Sequence, residues 1–368
     1  DLHVDLVVGT HQYHTLPDIL DQLLDSRRAG RSHEPGSQPV VTGFVREASP
    51  SEIQAVKRNT SFRANITIME GCNKQCAYCI VPFTRGRERN RRLESILEEA
   101  ASAVDQGYSE IQLLGQTVTN YRDPTDETRD FTRLLDLVSG ISGIRRLRFV
   151  SPHPINFNDD LIALIAERDN ICNQIHLPLQ SGSNTILKRM RRLHTREWYL
   201  ELVEKFRGCG RPVALSTDMI VGFPGETEAD FEDTLDAVEK SRYEQMYSFK
   251  YSIRPHTEAA EWGDDIPEEI KSRRLSELQE KQKRIQLDEY RRNYLGGEFE
   301  VLVEGKARDG KALSGRTTTY KVVNFISAAS PGEYIKVKIE RVSPNSLYGK
   351  EITSDLIRPE FLRNQQGR

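Results

Sequence analysis

"ANITIMEGCNKQCAYCI", residues 64–80, runs a short apolar stretch of strand-forming residues straight into three cysteines, Cys72, Cys76 and Cys79. The apolar stretch reads as a strand that ends in a tight loop. Only five cysteines occur in the chain, and Cys172 and Cys209 stand far from the trio and from each other. Three thiols cannot close as pairs, and their spacing is too short for a disulfide framework, so the trio reads as metal ligands. A structural zinc site usually takes four protein ligands in CxxC pairs, and neither a second pair nor a neighbouring histidine is present. A 4Fe-4S cluster needs a ligand on each of four irons, so three cysteines leave one iron open to an exogenous ligand.

Outward from this loop, short apolar runs alternate with amphipathic patterns. "IQLLG" (111–115), "LRFVS" (147–151), "QIHLPL" (174–179), "ALSTDMIVG" (214–222) and "MYSFKYS" (246–252) follow the first strand. Between them lie helical stripes such as Leu93, Ile96, Leu97, Ala100 and Val104, and Phe231, Leu235 and Val238 behind a Thr227/Asp230 capping box. Six strand-helix units over 63–266 predict a parallel sheet covered by helices, and six are too few for a closed eight-stranded barrel. The expectation is an open partial (β/α)6 barrel. In such sheets ligands collect beyond the carboxyl ends of the strands, where the cysteines, Gly115-Gln116, Ser151-Pro152-His153, Gln180-Ser181-Gly182 and Gly222-Phe223-Pro224-Gly225-Glu226 all fall.

The flanks differ in character. Residues 1–25 read as a terminal strand and the short helix "LPDILDQLL". Residues 26–62 read as a Gly-, Pro- and Ser-rich linker, 267–296 as a charged connecting helix, and 359–368 as a tail. Residues 297–358 hold five short strands bounded by turn residues, the pattern of a small all-β, OB-like barrel of a kind that commonly binds oligonucleotides. Hydrophobic residues make up 37% and charged residues 29%, and no apolar run approaches the roughly 18 residues of a membrane span. The odd cysteine count points to a reducing compartment, with the cytoplasm as the expected location. At a formal net charge of −3, any nucleic acid must be held by local basic patches, and "TRGRERNRR" (84–92) and "LKRMRR" (187–192) supply two.

The Cys-x3-Cys-x2-Cys loop, with Tyr78 before the last cysteine and six β/α units behind it, resembles the radical S-adenosylmethionine superfamily. Adding "HLPLQSGSNTILKRMRR", "TDMIVGFPGET", "YSIRPHTEA" and "LSGRTTTYKVVNF", nearly all of residues 1–353 resembles the methylthiotransferases, most closely the MiaB-type tRNA enzymes. The resemblance implies a radical SAM barrel followed by a C-terminal TRAM barrel that contacts RNA. It implies a reaction in which a methylthio group replaces the C2 hydrogen of N6-isopentenyladenosine at tRNA position 37, beside the anticodon. Two S-adenosylmethionine molecules are consumed: one supplies a methyl group, and the other is cleaved to the 5'-deoxyadenosyl radical. The family also carries a second, auxiliary 4Fe-4S cluster on three cysteines of an N-terminal domain. Those ligands are absent here, and 1–25 resembles that domain's end, with the remainder expected to be missing from this sequence.

By resemblance, Cys72, Cys76 and Cys79 hold the radical cluster. Tyr78 packs beside it, Gln116 meets the amino group of S-adenosylmethionine, and Gln180 and Ser181 meet its ribose or methionine part. Arg189 pairs with its carboxylate, Asp218 lies near cofactor or substrate, and Ile220 and Gly222 offer backbone to the adenine edge. For each of these residues outside the cysteines a purely structural role stands beside the functional one. Arg254 faces substrate phosphate or closes the barrel, Glu226 caps a helix, and His153 and His176 read as strand-end histidines rather than ligands. A reductant such as flavodoxin or ferredoxin and a monomeric state complete the expectation. Rival readings are sister methylthiotransferases acting on threonylcarbamoyladenosine in tRNA or on a ribosomal-protein aspartate, a noncatalytic iron-sulfur RNA-binding protein, and a zinc module.

Overall fold

The computed structural model describes residues 4–29, 39–43, 58, 60–308 and 310–352. The expected tail 359–368 and most of the expected linker 26–62 lie outside them. The described part of that linker includes a strand, Val40–Val41, which pairs in parallel with Val7–Val8 ahead of the helix Leu16–Arg28. Two-residue strands carry no usable periodicity, which is why the sequence gives no sign of this one.

Six parallel strands form the central sheet: β1 (Arg63–Thr67), β2 (Glu110–Leu114), β3 (Arg146–Phe149), β4 (Gln174–His176), β5 (Ala214–Val221) and β6 (Gln245–Lys250). The ladder runs β1-β2-β3 and β4-β5-β6, and the Leu147/Ile171 bridge joins the halves. Leu147 N donates to Asn170 O at 2.7 Å and Cys172 N to Leu147 O at 2.9 Å. Among the described residues no pairing links β1 to β6, so the barrel is open along that side.

Helices α1 (Leu93–Asp105), α2 (Phe131–Ser139), α3 (Asp159–Glu167), α4 (Arg196–Arg207) and α5 (Glu228–Ser241) return the chain between strands. Their starts follow from side-chain caps, because the first turn of a helix leaves N–H groups without backbone partners. Asp130, Asn158 and Thr195 cap α2, α3 and α4, and Thr227 with Asp230 forms the full capping box of α5. Alternation along β5 sorts the two faces of the sheet. Met219 and Val221 join the large buried core, while Ser216 and Asp218 meet His176 on the inner face.

Helix α6 (Glu268–Asn293) leads to β7 (Glu298–Lys306), β8 (Leu313–Arg316), β9 (Val322–Ile326), β10 (Tyr334–Ser343) and β11 (Ser346–Glu351). These close in the order β7-β8-β9-β11-β10 around Val301, Val303, Val323, Phe325, Val337, Ile339 and Leu347. This small barrel seals the amino-terminal end of the sheet, opposite the cysteine loop. Arg146, at the start of β3, donates to Arg316 O at 2.7 Å and Glu300 O at 3.0 Å. Arg148 donates to Thr317 O at 2.9 Å, Lys321 pairs with Glu244 at 3.1 Å, and Arg63 bridges Glu110 and Glu304. Tyr320 lies beneath the guanidinium groups of Arg148 and Arg316, 4.7 and 4.2 Å from its ring centre. The "RTTTYK" segment is therefore part of the joint between the two domains.

Candidate active site at the cysteine loop

Beyond β1 the chain makes a narrow ribbon, Met69–Glu70 pairing antiparallel with Arg89–Asn90. The ribbon closes the base of the cysteine loop. Gly71 has φ +74°, and a Cβ there would overlap the Arg87 carbonyl, so the turn accepts only glycine without strain. Cys72 N donates to Gly86 O at 3.1 Å and Cys79 N to Cys76 O at 3.0 Å. Two further backbone bonds tie the loop to its surroundings: Ala77 N to Met190 O at 3.0 Å and Ala259 N to Ala77 O at 2.9 Å. The loop is thus fixed by main-chain bonds on both sides.

All three thiols are partly exposed and free of disulfides. Donors already face two of them. Lys74 N lies 3.4 Å and Thr117 Oγ1 3.3 Å from Cys72 Sγ, and Arg192 Nη1 lies 3.8 Å from Cys76 Sγ. Burial pushes the Cys79 thiol above its ordinary pKa, with the other two cysteines adding to the rise. Thiolates crowded in this way need positive charge, which iron and Arg192 can both supply. Hydrogen bonds to sulfur are also a principal means of tuning an iron-sulfur cluster. Among the described residues no three His, Cys, Asp or Glu side chains gather around a point that would hold a single ion. A cluster in which each thiolate takes its own iron makes no such demand, so the donor set fits a 4Fe-4S group.

The expected cofactor residues divide. Tyr78 is packed against Phe223, edge to face at 6.4 Å, and Phe223 in turn meets Tyr251 and Trp262, an apolar wall beside the loop. Burial holds the Tyr78 hydroxyl protonated. Gln116 leaves a buried Oε1 with no hydrogen-bond partner among the described residues. Gln180, at φ +80°, uses its backbone to stitch the end of β4 to β5, with Gln180 N to Asp218 O at 2.9 Å and Ile220 N to Gln180 O at 3.0 Å. The Ile220 N–H is therefore committed within the protein. Asp218 faces His176 Nε2 at 3.2 Å on the inner face of the sheet.

Others have partners of their own. The Ser181 hydroxyl lies 3.4 Å from Thr234 Oγ1 and accepts from Ser183 N at 3.2 Å. At Gly222, φ +67°, the space a side chain would need is taken by the stem of Lys271 from α6. Arg189 lies over the Trp262 ring at 4.6 Å and lines Gly225. Arg254 is exposed, and its carbonyl accepts from Thr257 Oγ1 at 2.7 Å. Glu226 does not cap α5. Its carboxylate accepts from Gly222 N at 2.8 Å and pairs with Arg274 at 3.0 Å, so it closes the turn after β5, while Thr227 is the cap.

The two basic runs are also divided by the fold. Arg91 is buried on Glu99, Ser95 and the Thr67 carbonyl, and Arg89 pairs with Glu70. Arg192 is the site residue that sequence reasoning missed. It read as one cation of a surface patch, whereas only 8% of it is exposed, with Nη2 donating to Pro178 O at 2.7 Å. Its position after a left-handed residue, Arg191 at φ +56°, turns it inward, and no periodic pattern signals that turn.

Residues 66–238 match the family model described as the radical SAM superfamily, and 292–352 match the TRAM domain. The chain is 43% identical over 356 residues to a tRNA-2-methylthio-N(6)-dimethylallyladenosine synthase from Solibacter usitatus, covering 95% of this chain and 77% of the relative. It is 46% identical over 339 residues to the synthase of that name from Carboxydothermus hydrogenoformans, covering 92% and 74%. A radical S-adenosylmethionine methyltransferase, TsrM, from Kitasatospora setae superposes with a TM-score of 0.49 at 18% identity, over 69% of this chain and 52% of that one.

Proposed function

Because the chain belongs to the family of tRNA-2-methylthio-N(6)-dimethylallyladenosine synthases, we propose that it places a methylthio group on C2 of N6-isopentenyladenosine at tRNA position 37. The observation that carries the reading is the cysteine trio at the carboxyl end of β1, fixed by backbone bonds and flanked by donors to sulfur. Cys72, Cys76 and Cys79 would hold a 4Fe-4S cluster, which with S-adenosylmethionine would supply one-electron chemistry able to remove hydrogen from an unreactive carbon.

The protein's own groups do the positioning. The Gly71 turn and the ribbon hold the three thiols; Thr117, Lys74 N–H and Arg192 face the sulfurs; to Gln116, at the carboxyl end of β2, we assign the cofactor's amino group. The wall of Tyr78, Phe223, Tyr251 and Trp262 keeps water from one side, which protects a reactive centre from side reactions. Since the TRAM barrel closes the opposite end of the sheet, the target base enters from the cysteine side. The exposed Lys336, Lys338 and Lys350 on β10 and β11, with Arg341 stacked on Tyr348 at 3.5 Å, suit contact with RNA phosphates.

The mechanism in full uses two S-adenosylmethionine molecules and a reductant of the flavodoxin or ferredoxin class, and we place the enzyme in the cytoplasm as a monomer. Among the described residues no helix is long and apolar enough to cross a membrane. The auxiliary cluster has no ligand set among the five cysteines of this sequence, since Cys172 is buried away from the loop and Cys209 contacts the Arg211 carbonyl. The test is nucleoside mass spectrometry of tRNA lacking the methylthio group, in cells given the full-length gene or its Cys76→Ala form. The reading expects the methylthiolated nucleoside with the first and none with the second. A methylthiolated threonylcarbamoyladenosine, or no change in tRNA, would overturn it.

A further inference from the structure

Beside Cys76 lies a cavity of about 1270 Å³, between the cysteine loop, the segment after β3 and the segment leading into α4. Among the described residues no carboxylate lines it, whereas Lys74, Lys188, Arg191 and Arg192 do. Among the described residues neither lysine is in an ion pair, and Arg191 is held at 2.7 Å by Glu258. Deep in the wall sits His194, 8% exposed, with both ring nitrogens buried and without hydrogen-bond partners among the described residues, and the Nε of Arg192 is in the same condition. Burial beside Arg192 keeps His194 neutral. Its ring packs 5.8 Å from Trp198, which also lines the cavity, as does Leu193, 60% exposed.

Two lysines outside any ion pair among the described residues, beside an aromatic face, point to an occupant that is anionic and carries a flat ring. Single-stranded nucleic acid is bound by this combination of charge and stacking. We propose that the cavity binds a nucleotide of the RNA next to the modified base, with its phosphodiester on Lys74 and Lys188 and its base against Trp198. The assignment rests on the reading of the substrate as RNA. It gives the "LKRMRR" run a divided role, with Lys188 reaching RNA and Arg192 reaching Cys76.

The test is binding of an anticodon stem-loop, with and without N6-isopentenyladenosine at position 37, to reconstituted protein and to Lys188→Gln and Trp198→Leu. Iron, sulfide and melting temperature are recorded for each variant. Lys188→Gln is expected to weaken both RNAs alike, by about three- to tenfold, and to reduce the salt slope by about 0.7, the contribution of one phosphate on a single strand. Trp198→Leu is expected to weaken both about tenfold or more with the slope kept. Affinity within twofold of wild type in both variants, at unchanged slope, overturns the cavity assignment alone. Loss of S-adenosylmethionine binding with RNA affinity intact assigns the cavity to the cofactor and also overturns it. Wild-type protein that binds neither RNA overturns the substrate reading together with the assignment.

Discussion

Arg192 holds its guanidinium 3.8 Å from the sulfur of Cys76 and anchors itself on the Pro178 carbonyl at 2.7 Å, with no carboxylate paired to it among the described residues. A buried positive charge beside a cluster ligand favours the more reduced, more negative state of the cluster. Arg192→Met should therefore make the reduction potential more negative, with Arg192→Lys in between. Potentiometric titration followed by electron paramagnetic resonance reads this directly. Equal potentials in all three proteins would show that the guanidinium is only a packing element.

Gly71 makes a separate prediction about the loop. Its φ of +74° and the overlap that any Cβ would make with the Arg87 carbonyl mean that Gly71→Ala must distort the ribbon. The expected cost is about 1–3 kcal/mol in urea unfolding of the cluster-free protein, together with lower iron retention. Unaltered stability and four irons per chain would refute the role assigned to this turn.

The joint between the domains depends on Arg146, 1% exposed and bonded to two carbonyls of the small barrel. Arg146→Ala leaves those carbonyls and the neighbouring charges without their partner, at a cost of about 3 kcal/mol or more. Calorimetry should show the TRAM barrel melting separately from the larger domain. A single transition at the wild-type temperature would contradict the joint.

Acid should destabilise the protein through His153 and His194. Burial, with Arg192 nearby, lowers their pKa values to about 2 and about 3. As pH falls below about 6.5 the unfolded chain takes up protons that the folded chain refuses. Their contribution is complete above that pH and is lost as pH drops towards the folded values, by up to about 1.4 kcal/mol per imidazole per pH unit. In cluster-free protein, the fall in melting temperature from about pH 7.5 to about pH 5.5 should shrink when both are changed to Gln. An equal fall in the double variant would contradict this.

Much of this was legible because periodicity and spacing report local structure. The strand ends placed the cysteines, Gln116 and Gln180 at one end of the sheet, and the Thr227/Asp230 pair announced the start of α5. What stayed hidden depends on contacts far apart in sequence. Arg192 looks like a member of a basic, exposed run until the left-handed turn at Arg191 folds it inward. Glycine in "VGFPGE" signalled a special backbone at Gly222, but its neighbour is Lys271, almost fifty residues on. "RTTTYK" carried the family resemblance, yet Arg316, Thr317 and Tyr320 are spent on the joint with β1 and β3, a use that no local pattern distinguishes from RNA contact.

The most direct test of the central claim is anaerobic reconstitution of this chain, followed by quantification of iron, sulfide and, with reductant and S-adenosylmethionine, 5'-deoxyadenosine. Cys76→Ala is the control. The account predicts about four irons and four sulfides on the Cys72, Cys76 and Cys79 loop and 5'-deoxyadenosine formation, with both lost in the variant. Zinc without sulfide, or a full cluster that yields no 5'-deoxyadenosine, would contradict it.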